Sequence, residues 1–200
     1  MISSLPELPK DLPRPIDDGA ASHLHGFGLP QFELPATNGE RIDLAAIPGR
    51  VVIYIYPMTG IPGVPLPEGW VSIPGAAGCT PQSCGFRDHY SELKTLAASV
   101  FGLSAQTSAY QKEARDRLHL PFELLSDSKL RLKQLLALPT FTVAGMELYK
   151  RLTLVVENNQ IQKVFYPVFP PGENADDVLA WLRQSAQLAA AGDAPKTARP

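Results

Sequence analysis

The chain has only two cysteines, Cys79 and Cys84, five positions apart in the stretch Gly78-Cys79-Thr80-Pro81-Gln82-Ser83-Cys84-Gly85-Phe86-Arg87-Asp88. Thiols so placed can act as a nucleophile, form a disulfide, share a metal or simply fill space. Zinc calls for four ligands, and the usual second pair is missing. The other ligand-like pair, His23 and His25, has no cysteine or acidic pair near it in sequence and reads as a surface loop. A static bridge closing so short a loop would stabilise little in the chain-entropy picture. A pair of buried small hydrophobes would do no chemistry at all. Redox chemistry is the leading reading.

The element that must position this chemistry is a helix. Phe86, Tyr90, Leu93, Leu96 and Ala97 recur at helical spacing, which predicts a helix from Thr80 or Pro81 to Ser99 with Cys79 at its N-terminus. Pro81 suits a first turn, where no amide donor is needed. Five helical residues span about 7.5 Å of rise and roughly 500° of rotation, leaving the two Cα atoms about 8–9 Å apart. Disulfide geometry asks for about 4.4–6.8 Å. The two sulfurs therefore cannot bond while the helix is intact, so either Cys84 has no redox partner here or the first turns unwind.

The free amides and positive dipole end of a helix favour a thiolate. An ordinary thiol is only a few per cent ionised at pH 7, and lowering its pKa from about 8.5 to about 6 takes roughly 3.4 kcal/mol. The helix terminus supplies about 0.3–1 kcal/mol of that, so a cation is needed. Arg87, Lys150 and Arg151 are the candidates, and spacing does not choose among them.

The other elements alternate. Leu29–Leu34 and the turn Thr37-Asn38-Gly39-Glu40 predict an N-terminal hairpin. The β-branched and aromatic run Arg50–Tyr56 predicts a central strand buried on both faces. Strands over Val100–Ala105 and Phe122–Asp127, each followed by a helical stretch (Ser108–Leu118, Ser128–Leu136), extend a β-α-β-α pattern. Leu152–Val156 and Gln160–Tyr166 read as a hairpin closing the sheet, and Asn174–Leu188 as a last helix. Residues 57–78 hold too many prolines and glycines for helix or strand. Loops of this length within a domain are usually functional or disordered; its place between the central strand and Cys79 favours function, with Trp70 as a lid or partner-facing residue, the alternative being an anchor in a core groove. The fold expected is α/β, with a central mixed sheet flanked by helices. It occupies residues 29–188, after a proline-rich extension (1–28) and before a flexible tail (189–200).

Composition narrows the partners. Eighteen basic against twenty acidic side chains in 200 residues, with 44% hydrophobic content, fit one globular domain and give no electrostatic case for nucleic acid or membrane. The N-terminus lacks a basic region followed by an apolar run, and no stretch approaches 18 consecutive apolar residues, so a cytoplasmic location is expected.

From Leu29 to about Leu182 the chain resembles the peroxiredoxins, and among them the bacterioferritin comigratory protein or peroxiredoxin Q type. The resemblance is carried by Leu29-Pro30-x-Phe32-x-Leu34-Pro35 with Asn38-Gly39, by Val51–Pro57, by Gly78–Asp88, by Leu125-Ser126-Asp127 and by Arg151–Val155. It implies a thioredoxin-like fold with Cys79 as peroxidatic and Cys84 as resolving cysteine. It also implies that Arg151 points at the peroxidatic sulfur, that Arg87 is structural and that Pro57 opens the motif shielding the thiolate. The family motif has Thr or Ser three residues before the cysteine, whereas this chain has Ala76 there, behind an insertion. Thr59 could supply the hydroxyl if the insertion bulges outward; otherwise it caps the loop. The implied activity is reduction of hydrogen peroxide or organic hydroperoxides through a Cys79 sulfenic acid and a Cys79–Cys84 disulfide. Thioredoxin or a glutaredoxin-type protein would be the reductant, with no metal or organic cofactor, in a monomer or homodimer. A thiol-disulfide oxidoreductase would be expected to space its cysteines by two residues. A redox-controlled interaction module using the proline-rich loop is the reading from a different class.

Overall fold

Successive residues of the run Arg50–Ile55 face opposite ways, and both faces are covered. Val51, Ile53 and Ile55 enter one apolar cluster, and Val52, Tyr54 and then Tyr56 enter another. This run is β3, the middle strand of the principal sheet in the computed structural model, which describes residues 11–96 and 98–192. The other members are β4 (Ala98–Ser104), β5 (Leu124–Ser126), β8 (Leu152–Glu157) and β9 (Gln160–Phe165), in the order β5-β4-β3-β8-β9. β4 lies parallel to β3 and to β5, whereas β8 is antiparallel to β3 and to β9, so the sheet is mixed. Two hairpins flank it, β1 (Glu33–Pro35) with β2 (Arg41–Asp43) and β6 (Thr140–Val143) with β7 (Met146–Tyr149).

Helices α1 (Cys79–Asp88), α2 (Tyr90–Thr95), α3 (Ser108–Arg117) and α5 (Asn174–Gly192) send Phe86, Leu93, Ala114, Val178 and Leu182 to the face carrying Tyr54. The opposite face is covered by α4 (Arg131–Leu136), the first hairpin and residues of the N-terminal segment, of which Leu24 is fully buried. Backbone bonds from Gly26 to Ile161 and from Ile161 to Phe27 tie that segment to β9. Residues 193–200, part of the expected tail, lie outside the described residues, and α5 itself continues to Gly192.

The long helix expected from Thr80 to Ser99 is instead two helices and the start of a strand. The chain turns at His89, where φ is −96° and ψ 8°, because the two halves pack against different partners. At Gly85, α1 lies so close to the turn Pro171–Glu173 that a Cβ would come within 2.9 Å of the Gly172 carbonyl oxygen, while α2 packs on β4. The strand expected over Leu29–Leu34 shortens to β1. The helix expected from Ser128 begins at Arg131, since Leu130 is left-handed (φ 52°) and the Asp127 carboxylate accepts from the amides of Arg131 (2.9 Å) and Leu132 (2.8 Å). This side-chain cap starts the helix about one turn later than expected.

Candidate active site

β3 and β8 run antiparallel with Ile55 opposite Leu152, so the chain leaving β3 and the residue preceding β8 reach the same end of the sheet. Pro57 is buried on the first of these and Arg151 on the second. The N-terminus of α1 comes to this end too. Gly78 precedes it with φ 103°, a conformation that needs glycine, and provides no side-chain cap, so the first amides of the helix are not taken by one.

Cys79 is the first residue of α1 and is 3% exposed. Arg151 Nη2 lies 3.2 Å from its sulfur. Of the three cations considered, Arg151 alone takes this place. Lys150 pairs with Asp18 at 2.6 Å, and Arg87 donates to Asp88 (2.8 Å) and to the Leu118 carbonyl (2.9 Å). The guanidinium is itself buried and held on several sides. Its Nη2 also lies within hydrogen-bond distance of the carbonyls of Gly75 (3.2 Å), Ala76 (3.1 Å) and Ala77 (3.0 Å), and its Nη1 donates to Gln82 Oε1. A planar fork of five donors suits such a set of acceptors better than an ammonium would. The Cys79 thiol faces the Ala76 carbonyl at 3.6 Å; once ionised it has no proton to give that oxygen, and the Arg151 guanidinium contacting both keeps the oxygen and the sulfur from opposing each other.

Both cysteines are free, and both lie on the intact helix α1. Cys84 is 7% exposed and packs with Tyr54 and Phe86 in the same apolar cluster as Cys79. Burial pushes its thiol up from the ordinary value; Arg87 and Arg117 nearby pull the other way, and Asp88 adds to the rise. Cys84 is thus kept protonated and away from Cys79 as long as the helix persists.

Thr59 does not reach the sulfur. Its hydroxyl and its amide both donate to Gln106 Oε1, at 3.1 and 2.9 Å, and Gln106 Nε2 returns a bond to the Thr59 carbonyl. Among the described residues no hydrogen bond joins Thr59 to Cys79. The physical reason is Gln106, whose buried amide takes both donors of Thr59, while the insertion beyond it is largely exposed and pinned down at Trp70. Trp70, 4% exposed, packs with Ala76, Val143 and Leu148, its ring 6.2 Å from that of Phe141 on β6. Trp70 is therefore an anchor and not a lid. Ala76, at the place where the family pattern has a hydroxyl, belongs to this small core, and its carbonyl is what faces the sulfur.

Gln82 was missed by the sequence reading, although its position three residues after Cys79 puts it on the same face of the helix. It is fully buried and joins Arg151 to Asn174 at the start of α5, its Nε2 donating to Asn174 Oδ1 at 2.9 Å. No group of three or more metal-ligating side chains occurs among the described residues. His23 bonds the Leu136 carbonyl instead.

Residues 25–179 match the family model described as Redoxin. The chain is 30% identical over 162 residues to the chloroplastic peroxiredoxin Q of Oryza sativa subsp. japonica, covering 79% of this chain and 66% of that protein. It is equally similar to the peroxiredoxin Q of Sedum lineare, with 79% and 77% covered. The chain thus spans about two thirds of the rice relative's length. The solved structure of peroxidoxin BcpB from Mycobacterium tuberculosis superposes with a TM-score of 0.65 at 26% identity, over 80% of this chain and 96% of that one. With the cysteine stretch, the arginine before β8 and the mixed sheet all in place, the chain belongs to the redoxin family, as a peroxiredoxin of the Q or bacterioferritin comigratory protein type.

Proposed function

We propose that this chain is a thiol-dependent peroxidase. The Cys79 thiolate attacks one oxygen of a hydroperoxide and the O–O bond breaks. Cys79 becomes a sulfenic acid, and the departing oxygen takes a proton and leaves as water or an alcohol. The first turns of α1 then unwind. The Cys84 thiol condenses with the sulfenic acid, forming the S–S bond and releasing water. An external dithiol, of the thioredoxin or glutaredoxin class, takes the oxidising equivalents by thiol–disulfide exchange and returns both cysteines to thiols. The observation that carries this reading is the Arg151 guanidinium 3.2 Å from a buried helix-terminal sulfur, a placement that favours the thiolate and opposes the negative charge developing on the peroxide.

The family supports peroxide as substrate and a thioredoxin-type protein as reductant. The test is peroxide-dependent oxidation of reduced thioredoxin or glutaredoxin by the wild type, Cys79→Ser and Cys84→Ser proteins. Cys79→Ser should be inactive, and Cys84→Ser should complete one turnover and stop at the sulfenic acid. Peroxide consumption that survives Cys79→Ser would refute the assignment.

A further inference from the structure

The Arg151 guanidinium presents only donors, so Gln82 must offer it the carbonyl oxygen of its side-chain amide. The other end of that amide, Nε2, then needs an acceptor in a place without solvent, since Gln82 is fully buried. Asn174 Oδ1 is that acceptor, 2.9 Å away and 92 residues further along the chain. An asparagine can show oxygen or nitrogen by turning its amide over. Here the Gln82 nitrogen, which can only donate, requires the oxygen, and the Thr153 hydroxyl on β8 adds a second bond to the same Oδ1 at 2.6 Å. The arrangement has a cost visible in the structure: Asn174 Nδ2 is buried with no hydrogen-bond partner among the described residues. Such an orphan is uncommon enough in a folded protein to call for an explanation. The amide is oriented for what its oxygen does.

We propose that Asn174 is a positioning residue for the peroxide reaction: held in place by the Thr153 hydroxyl, it fixes the orientation of Gln82, and through Gln82 it holds the Arg151 guanidinium against the Cys79 sulfur. Donation runs from Arg151 to the Gln82 oxygen and from the Gln82 nitrogen to the Asn174 oxygen, where the bond from the Thr153 hydroxyl converges. Without the Asn174 acceptor, the Gln82 nitrogen has no partner on that side. Turning the amide over would then set its NH2 against a cation that has nothing to accept with. Either outcome loosens Arg151. The proposal rests on Cys79 being the attacking sulfur, but its test does not need peroxide.

The experiment uses the full chain carrying Cys84→Ser, so that Cys79 is the only thiol, and follows its alkylation by iodoacetamide as a function of pH. Asn174→Leu should move the midpoint of that profile upward by about one pH unit, a tenfold loss of thiolate below the midpoint, with a comparable fall in the rate with hydrogen peroxide. Thr153→Val, nearly the same shape, should move it in the same direction by less. Gln82→Met with Asn174→Leu should behave as Gln82→Met alone, because both act through one contact chain. An unmoved midpoint in a folded Asn174→Leu protein, or losses that add in the double variant, would overturn the proposal. If Asn174→Leu fails to fold, Thr153→Val decides alone: a shifted midpoint upholds the proposal and an unshifted one overturns it. Should the wild type prove inert to peroxide, the alkylation profile still reports whether Asn174 governs the thiol.

Discussion

Replacing Arg151 by methionine removes the cation that contacts Cys79 while keeping most of the side chain's apolar bulk. Nη2 is 3.2 Å from the sulfur, with the charge spread over the guanidinium. A mean separation of about 4 Å at an effective dielectric constant near 20 gives about 4 kcal/mol of gross attraction to a thiolate. Desolvating the buried guanidinium offsets part of this. The substitution has a second cost, because the carbonyls of Gly75, Ala76 and Ala77 and the Gln82 Oε1 lose their donor beside the sulfur. A net loss of about 2.7 kcal/mol, some two thirds of the gross term, corresponds to a fall of about 100-fold in the rate of sulfenic acid formation. The assay is single-turnover reaction of the reduced protein with hydrogen peroxide at pH 7, quenched with dimedone and quantified by mass spectrometry of the Cys79 peptide. Lys150→Met is the matched control. It removes a neighbouring charge engaged with Asp18 at the surface and should stay within about twofold of wild type. An Arg151→Met protein that melts normally and reacts within about threefold of wild type would refute the electrostatic reasoning.

Thr59→Val should leave the peroxide rate within about threefold and lower stability by about 1 kcal/mol, the net worth of the hydrogen bond to Gln106; a fall of tenfold or more in rate would return the hydroxyl to the chemistry. Gly85→Ala should destabilise by about 1–3 kcal/mol in urea unfolding, because the new Cβ meets the Gly172 carbonyl at 2.9 Å and backbone cannot yield as a side chain can. An unchanged unfolding midpoint would mean that α1 does not dock as tightly as described. In Cys79→Ser the remaining thiol, Cys84, is raised by burial. Its protonated form is the one the fold prefers, so the stability it contributes is complete below the ordinary thiol value of about 8.5 and is lost as pH rises through the higher folded value. Alkylation of Cys84 should accordingly be slow at neutral pH and accelerate in sub-denaturing urea. Alkylation as fast as that of a free thiol would contradict its burial.

Much of this was legible in the chain itself because the signals were local. The run Arg50–Ile55 is apolar on both faces and became the middle strand, and Leu152–Glu157 with Gln160–Phe165 became the antiparallel pair beside it. The cysteine stretch named its own helix terminus. What was not legible depended on contacts between distant parts. The break at His89 follows from α1 meeting the Gly172 turn while α2 meets β4, and helical periodicity continues through it. The β6–β7 hairpin turns at Ala144 and Gly145, both with positive φ (47° and 76°). An alanine in that first position hides the Asn-Gly or Asp-Gly signature by which such turns are recognised. Without that hairpin in view, the surface that receives Trp70 could not be foreseen. Thr59, expected as one source of the missing hydroxyl, bonds Gln106 instead, and the group facing the sulfur from the Ala76 position is a backbone carbonyl. The link from Gln82 to Asn174 spans 92 residues, and no local pattern announces it.

The most direct test of the central claim is a titration of the fully reduced wild-type protein with hydrogen peroxide, counting peroxide consumed and thiols lost per chain and mapping the product by mass spectrometry. The expected result is one equivalent of peroxide consumed, two thiols lost and a single intramolecular Cys79–Cys84 disulfide, despite both sulfurs starting on an intact helix. A reduced protein that leaves the peroxide untouched, or that accumulates Cys79 sulfenic acid with Cys84 still a free thiol, would contradict the mechanism.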